Sequence, residues 1–317
     1  MQLHVGSATL TPIGFMDFTA VFRSTNSGSG VATNFGSIPF NNSVNGNINE
    51  FRLSAQNSRV GFRVDTNVRG ARVLGYFESD FLGFVPGNAA VTSNSDGLRL
   101  RLYWVDVRKE KVELFGGQSW SMLTANRRGL SALPSDLFYS QDIDANYQNG
   151  LVWSRNPQFR FIVHPSEKIA AGLSLESPEQ YIGGSGGGGL VTLPSMLATL
   201  YANQLNNGNT AFSAPNVHPD IVMKIAFDPS SRTHFEVAGL FRTFRVYNPL
   251  DGERHSASGA GGSVNFNFAL TKNFRIFSNN YYSDGGGRWI FGLAPDLIAR
   301  PDGSLSPLHS GSTVDGF

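Results

Sequence analysis

The sequence of 317 residues predicts an all-β fold, and more narrowly an antiparallel transmembrane β-barrel. The first observation is the stretch 58–68, where apolar residues or Thr alternate with charged and small residues. Successive side chains of a strand point to opposite faces, so this stretch predicts a strand with one apolar and one polar face. The second observation is that very short and very long connections alternate along the chain, which is typical of outer-membrane barrels.

Eleven segments are predicted to form strands, and most are long enough to cross a bilayer at a tilt. They span 13–23, 51–68, 71–82, 98–108, 111–121, 150–163, 168–176, 219–228, 232–246, 259–270 and 272–283. In the fourth segment, the predicted lipid-facing residues are Leu98, Leu100, Leu102 and Trp104. Among aromatic residues near strand ends, Trp104 and Phe227 are the favoured members of the interfacial girdles, with Phe244 a further candidate.

The connections between these segments fall into two classes. Tight turns are predicted near residues 69, 109, 165, 230 and 271. Long outer connections are predicted at 24–50, 83–97, 122–149, 177–218 and 247–258, and the tail 284–317 shows no alternation and is assigned to a further outer loop. A β-sandwich is the alternative, but it needs only about 100 residues and does not sort its loops in this way.

Composition narrows the choice of function. Charged residues make up 15% of the chain, the net charge is +1 and there is no Cys. These values exclude a disulfide framework and give no basic excess for binding nucleic acid. No apolar run reaches the roughly 18 residues of a spanning helix. The first residues, Met1–Val5, lack the build of a secretory signal, so we expect that an export signal was removed or that the chain is a fragment.

Four short motifs in order resemble the early strands of Gram-negative porins. They are Asn57–Val64, Gly70–Asp80, Arg101–Val107 and Leu114–Gln118. The chain is most similar to the acidobacterial and DcaP-like porins, best over about 50–175. The resemblance implies a homotrimer of sixteen-stranded barrels in the bacterial outer membrane. It also implies that 1–317 is one incomplete porin domain, with about 11–12 of the expected 16 strands, and that 122–149 is the inward-folding pore loop.

A porin selects solutes through the width of its lumen and the charges along it. The predicted pore-lining residues form a basic ladder on the strands, facing charged residues of the pore loop. The set is Arg59, Arg63, Arg72, Arg99, Arg101, Arg127, Arg128, Asp136, Asp142 and Asp144. Basic residues outnumber acidic ones at the predicted inward positions, which predicts a mild preference for anions. The alternative is that these charges pair with one another and only keep the lumen hydrated.

The remaining motifs give weaker signals, and no catalytic site, metal or cofactor is expected. Asp142–Asn146 has the opening spacing of a calcium loop, but Tyr147 and Trp153 stand where Gly and Glu are required. His234 is assigned to the polar inward face, and Pro194–Leu205 predicts a short loop helix. The sequence therefore predicts passive diffusion of small hydrophilic solutes through a barrel in contact with outer-membrane lipid. A channel selective for dicarboxylates or sugars, and a loop-plugged receptor or adhesion barrel, remain the alternatives.

Overall fold

The computed structural model describes residues 2–28, 31, 38–83, 97–138, 150–183, 191–207, 218–291 and 294–317. The chain divides into two compact units. The first unit comprises 1–33, 37–119 and 157–159, and the second comprises 34–36, 120–156 and 160–317. In the part of the chain that the structure describes, no helix combines the length and the apolarity needed to cross a membrane.

Within the described residues, eight strands belong to the first unit. They are β1 (Leu3–Val5), β2 (Ala8–Phe15), β3 (Thr19–Arg23), β4 (Glu50–Ser54), β5 (Arg59–Val68), β6 (Ala71–Asp80), β7 (Arg99–Lys109) and β8 (Val112–Trp120). Six of them form an antiparallel sheet in the order β1-β2-β5-β6-β7-β8, and β3 pairs with β4 in a separate hairpin.

Two predicted strands, 13–23 and 51–68, are each divided in two. The division lies where Ser58 and Asp17 meet: Ser58 Oγ accepts a hydrogen bond from Asp17 N at 2.9 Å, and Ser58 N donates to Ala55 O at 3.0 Å. A Ser side chain that bonds nearby backbone offers the chain an alternative to the strand ladder. The prediction of continuous strands across these points was wrong for that reason.

The second unit contains one helix and nine strands in the described ranges. They are β9 (Arg155–Ser166), β10 (Ile169–Glu176), α1 (Ser195–Tyr201), β11 (Asp220–Ser230), β12 (Thr233–Asn248), β13 (Glu253–Ala269), β14 (Arg275–Asp284), β15 (Leu297–Ala299), β16 (Leu305–Pro307) and β17 (His309–Gly316). The main sheet is antiparallel in the order β9-β10-β11-β12-β13-β14-β17, and β15 pairs with β16. The predicted loop helix is present as α1.

The tail 284–317 is not a loop throughout, so that prediction was wrong in its last part. Strand β17 pairs with β14 from His309 opposite Asp284 to Gly316 opposite Phe277. Its sequence, His-Ser-Gly-Ser-Thr-Val-Asp-Gly, is small or polar on both faces, so it lacks the alternation by which the other strands were found. Backbone pairing with β14 defines this strand.

The alternation on β12 shows the two-sided character of the sheet. Phe235, Val237 and Phe241 are exposed, whereas the intervening His234 and Glu236 are buried. A water-soluble domain shows the reverse arrangement, with apolar residues inside. An apolar outer band over a polar inner face is the arrangement of a barrel in lipid. The fold class is therefore that of an antiparallel transmembrane β-barrel, as predicted.

The β12–β13 hairpin changes its polarity along its length. Beyond Phe241 the exposed positions of β12 include Arg245, while the opposite face carries Phe244 and Val246. These two buried residues belong to an apolar cluster with residues of α1, β15 and β16. Beyond Phe241, the hairpin buries apolar residues and exposes polar ones, as a water-soluble domain does. The band of exposed apolar residues therefore ends near Phe241. Phe244 is a core residue, which excludes its assignment to a girdle.

A β-bulge on β7 overturns part of the predicted lipid-facing row. Leu100 pairs with Ser79 and Leu102 pairs with Glu78, so the intervening Arg101 has no partner on β6. Gln118 Nε2 donates to Arg101 O at 2.9 Å, which satisfies a bulge carbonyl. The extra residue reverses the phase of the strand, because side-chain direction alternates strictly from residue to residue.

Leu102 and Trp104 are therefore buried on the inner face, and their prediction as lipid-facing was wrong. Trp104 stacks on Tyr76 with ring centroids 5.3 Å apart, and Tyr103 is exposed in its place. Phe227, at 42% exposure, remains on the outer face near the end of β11.

The predicted long connection 247–258 is a short turn, because β12 and β13 continue to Asn248 and from Glu253. Asp251 closes this turn by accepting a hydrogen bond from Glu253 N at 2.8 Å. That bond and the contact with His255 hold the pKa of the Asp251 carboxyl below its usual value.

A charge introduced in the middle of the exposed apolar row of β12 tests whether that face of the sheet contacts lipid. Val237→Arg places a guanidinium on the exposed face at mid-strand, and we expect it to lower the free energy of unfolding in lipid vesicles by about 2–4 kcal/mol. The measurement is urea titration followed by tryptophan fluorescence. Ser258→Arg, on the outer face beyond the apolar band, is the matched control and should cost less than about 1 kcal/mol. Equal losses in the two variants would contradict the assignment.

Candidate functional site

Five charged side chains on β5, β6 and β7 form one ionic network in the first unit. Strand register places Asp80 opposite Arg59 on one side and Arg99 on the other. Arg99 lies 2.7 Å from Asp80, and Arg101 lies 2.9 Å from Asp80 and 2.7 Å from Glu78. Arg59 lies 3.7 Å from Glu78. Three guanidinium groups therefore share two carboxylates.

Three residues of the predicted basic ladder are thus brought together, but their partners are carboxylates of β6. The Arg59 and Arg99 side chains keep 34% and 36% of their surface exposed, while Arg101 and Asp80 are buried. Arg59 and Arg99 are therefore partly accessible, whereas the buried members hold the network in place.

The other two predicted strand arginines lie apart from this network. Arg63 pairs with Asp65 at 2.7 Å, and Arg72 lies 3.9 Å from the same carboxylate. Both lie on the side of that network that leads to the tight turn at residues 69–70. They form a separate ion-pair group at that end of the sheet.

Residues 121–138, called the pore-loop segment after the role predicted for them, lie against the charged face of the second unit. At its start, Glu176 Oε1 accepts hydrogen bonds from Met122 N at 2.9 Å and from Ser121 Oγ at 3.0 Å. Arg160 donates to Trp120 O at 2.6 Å and to Leu130 O at 3.4 Å. Side chains of the sheet thus satisfy backbone groups of a segment that has little regular structure.

Lys224 and Glu236 anchor the middle of the pore-loop segment. Lys224 Nζ donates to Thr124 O and to Asn126 Oδ1, each at 2.9 Å, and lies 2.8 Å from Glu236 Oε2. The same carboxylate oxygen accepts a hydrogen bond from Asn126 N at 3.1 Å. Both charged side chains are fully buried, so each depends on the other and on the loop for compensation.

His234 and Asp228 extend this arrangement towards the tight turn after β11. His234 lies 3.0 Å from Glu236 and 2.8 Å from Asp228 through its two ring nitrogens. Asp228 Oδ2 also accepts a hydrogen bond from Gly129 N at 2.9 Å. The pore-loop segment therefore follows the sheet down to its tight-turn end. His234 lies on the polar face, where it was predicted.

The pore-loop segment also has internal order. Arg127 N donates to Asp136 O at 2.7 Å, and Phe138 N donates to Ala125 O at 2.8 Å. Leu130 packs against buried residues of β9, β10 and β11. Asp142 and Asp144 lie outside the described residues, as does the calcium-like spacing that begins at Asp142. Within the described ranges, no group of three or more His, Asp or Glu side chains is placed to hold a metal ion.

A second buried ionic centre ties the segment after β14 to the sheet. Arg242 lies 2.8 Å from Asp296 and 3.3 Å from Asp220, and Arg288 lies 2.6 Å from Asp220. Trp289, fully buried, packs against both guanidinium groups with centroid distances of 4.7 and 4.1 Å. This centre fixes the positions of residues 285–291 and 294–296 on the inner face of the second unit.

The sequence did not single out these loop anchors. Glu176, Lys224 and Glu236 occupy buried, inward positions of their strands. Lys224 pairs with Ala238 and Glu236 with Ala226, so the two charges are diagonal neighbours on adjacent strands. Opposite charges at matching inward positions of two consecutive strands are the signal that could have identified them.

The fold and this charged face together define the class of protein, which is that of transmembrane β-barrels. No family model matches the chain, and no curated protein matches it. Among solved structures, the chain is similar to the outer membrane channel DcaP of Acinetobacter baumannii, with a TM-score of 0.70 and 17% identity. The alignment covers 97% of this chain and 72% of DcaP. The predicted DcaP-like fold is therefore confirmed.

Other porin-related structures align less well. A loop-deletion mutant of OmpT from Vibrio cholerae gives a TM-score of 0.36 at 10% identity, covering 87% of this chain and 82% of that protein. A mutant of the Rh. blastica porin gives 0.26 at 9% identity, covering 97% of this chain and all of that protein. These two likenesses are too low to support an argument.

Removing the buried ammonium tests how the pore-loop segment is held. Lys224→Met leaves the Glu236 carboxylate and two loop acceptors without their donor, so we expect a loss of about 3 kcal/mol in the free energy of unfolding. Protease cleavage within residues 122–138 should become faster. The double variant Lys224→Met/Glu236→Gln also removes the unpaired charge and should recover part of the stability. Wild-type stability and cleavage in Lys224→Met would show that these contacts do not anchor the loop.

Proposed function

We propose that this chain is part of an outer-membrane porin through which small hydrophilic solutes diffuse passively. The observation that carries the proposal is the separation of the two faces in each unit. Apolar rows are exposed on one face, and the other face carries paired charges. The apolar rows contact lipid of the outer membrane, and the charged face lines a hydrated lumen that the pore loop narrows.

We further propose a mild preference for anions. The ionic network of the first unit has three guanidinium groups for two carboxylates, and its most exposed members, Arg59 and Arg99, are cationic. A small excess of positive charge along a low-dielectric wall raises the local concentration of anions. We take the functional assembly to be a homotrimer without catalytic activity and without affinity for nucleic acid.

A substrate-selective channel is the second candidate, because two partly exposed guanidinium groups lie in one network on the inner face. The side chains of Arg59 and Arg99 keep 34% and 36% of their surface exposed. Two guanidinium groups close together suit the carboxylates of a small dicarboxylate. Currents that saturate with solute concentration would favour this candidate over passive diffusion.

Ion selectivity tests the proposed function. In planar bilayers under a salt gradient, the protein should conduct and give a reversal potential of the sign expected for anions. Arg99→Gln removes one exposed guanidinium from the network and leaves two cations for two carboxylates, so the reversal potential should move towards zero. Arg69→Gln changes the same charge in the tight turn between β5 and β6 and should leave the reversal potential unchanged.

Two results would contradict the proposal. A cation preference of the wild-type protein would exclude the proposed selectivity. A protein that inserts into the bilayer but shows no conductance would instead support the alternative of a barrel plugged by its loops.

A further inference from the structure

Four arginines converge on one pocket at the tight-turn end of the second unit. Arg127 and Arg128 come from the pore-loop segment, Arg232 from the turn between β11 and β12, and Arg275 from the start of β14. Asp228 is the one carboxylate among the described residues that line this pocket. The pocket is therefore lined by four guanidinium groups and one carboxylate, which come from segments far apart in the sequence.

The single carboxylate of the pocket is already engaged. Asp228 Oδ1 lies 2.8 Å from His234 Nδ1, and Asp228 Oδ2 accepts the hydrogen bond from Gly129 N. Across the described ranges, no carboxylate lies within ion-pair distance of the side chains of Arg128, Arg232 or Arg275. These three residues are exposed, so their guanidinium groups are free to turn towards a ligand in the pocket.

The remaining groups of the pocket are also hydrogen-bond donors. Ser230 and Thr233 contribute hydroxyl groups, and Asn267 contributes an amide. Like charges that lie close together repel one another. An anion bound between them attracts each of them and so offsets this repulsion. Guanidinium groups bind the oxygens of phosphate and carboxylate through paired, charge-assisted hydrogen bonds. Converging donors from several directions suit a tetrahedral oxyanion better than a planar one.

We propose that this pocket binds a tetrahedral oxyanion, namely inorganic phosphate or the phosphoryl group of a small solute. The ligand would bridge the pore-loop segment and the two tight turns, with Arg128 on one side and Arg232 and Arg275 on the other. This binding goes beyond passive diffusion, and its existence does not require that the chain conduct.

Titration calorimetry of the full chain in detergent micelles tests the proposal. Sodium phosphate is titrated at constant ionic strength, and the wild-type protein should bind it saturably. The double variant Arg232→Gln/Arg275→Gln should weaken phosphate binding at least about tenfold, because charge-assisted bonds to two guanidinium groups are lost. Arg69→Gln/Arg254→Gln removes the same two charges from exposed positions outside the pocket and should bind like the wild type.

Arg128→Gln provides a second variant on the opposite side of the pocket, which guards against a folding defect caused by changes in the turns. It should also weaken phosphate binding, with an unchanged heat-induced shift in gel mobility as the check on folding. Glycerol 3-phosphate is titrated in parallel. Binding of either ligand supports the site, and binding of glycerol 3-phosphate alone identifies the phosphoryl group of a solute as its source.

Absence of saturable binding of both ligands to the wild-type protein would overturn the proposal. Equal weakening in the control double variant would do the same, since it would show an effect of net charge alone. Because binding is measured without a bilayer, its failure would leave the conductance and reversal potential of the proposed porin untouched. Loss of conductance would likewise leave the binding result standing.

Discussion

Charge pairing on the inner face is the interaction on which the rest of the structure depends. Lys224 with Glu236, and Arg242 with Asp220 and Asp296, are fully buried, and a buried charge without a partner costs several kcal/mol. Each pair also bonds to backbone groups of a segment that covers it. The charged face of the second unit therefore holds the pore-loop segment and residues 285–291 and 294–296 in fixed positions. The backbone of these segments in turn provides hydrogen-bond partners for the buried charges.

The β12–β13 hairpin shows how one pair of strands serves two environments. Strand β11 pairs with β12 only as far as Phe241. Beyond Phe241, this edge of β12 is not paired with β11. There, Gln180 exchanges hydrogen bonds with the N–H and carbonyl of Arg245, and Gln204 does the same with Tyr247. The two side-chain amides replace a neighbouring strand, which protects an edge that would otherwise be open to pairing with another chain.

Alternation of apolar and polar residues predicted the strands well where one face was apolar and the alternation was unbroken, as on β5, β10 and β12. The prediction was wrong where a bulge broke the alternation or where a strand had no apolar face. The bulge at Arg101 reversed the faces of Leu102 and Trp104, and β17 has no apolar face to reveal it. For the site, periodicity placed Arg59, Arg99 and Arg101 on one face, but it could not show that Asp80 lies between them, because strand register sets that contact.

Register also explains why the count of inward charges is a poor measure of selectivity. A count treats Arg101 and Arg275 alike, yet Arg101 is buried against Glu78 and Asp80, whereas Arg275 is exposed and has no carboxylate partner in the described ranges. A compensated charge contributes little field at a distance, since the field of its partner opposes it. The field at the charged face therefore depends on how far carboxylates match the guanidinium groups within each unit, and a count of charged residues does not report that match.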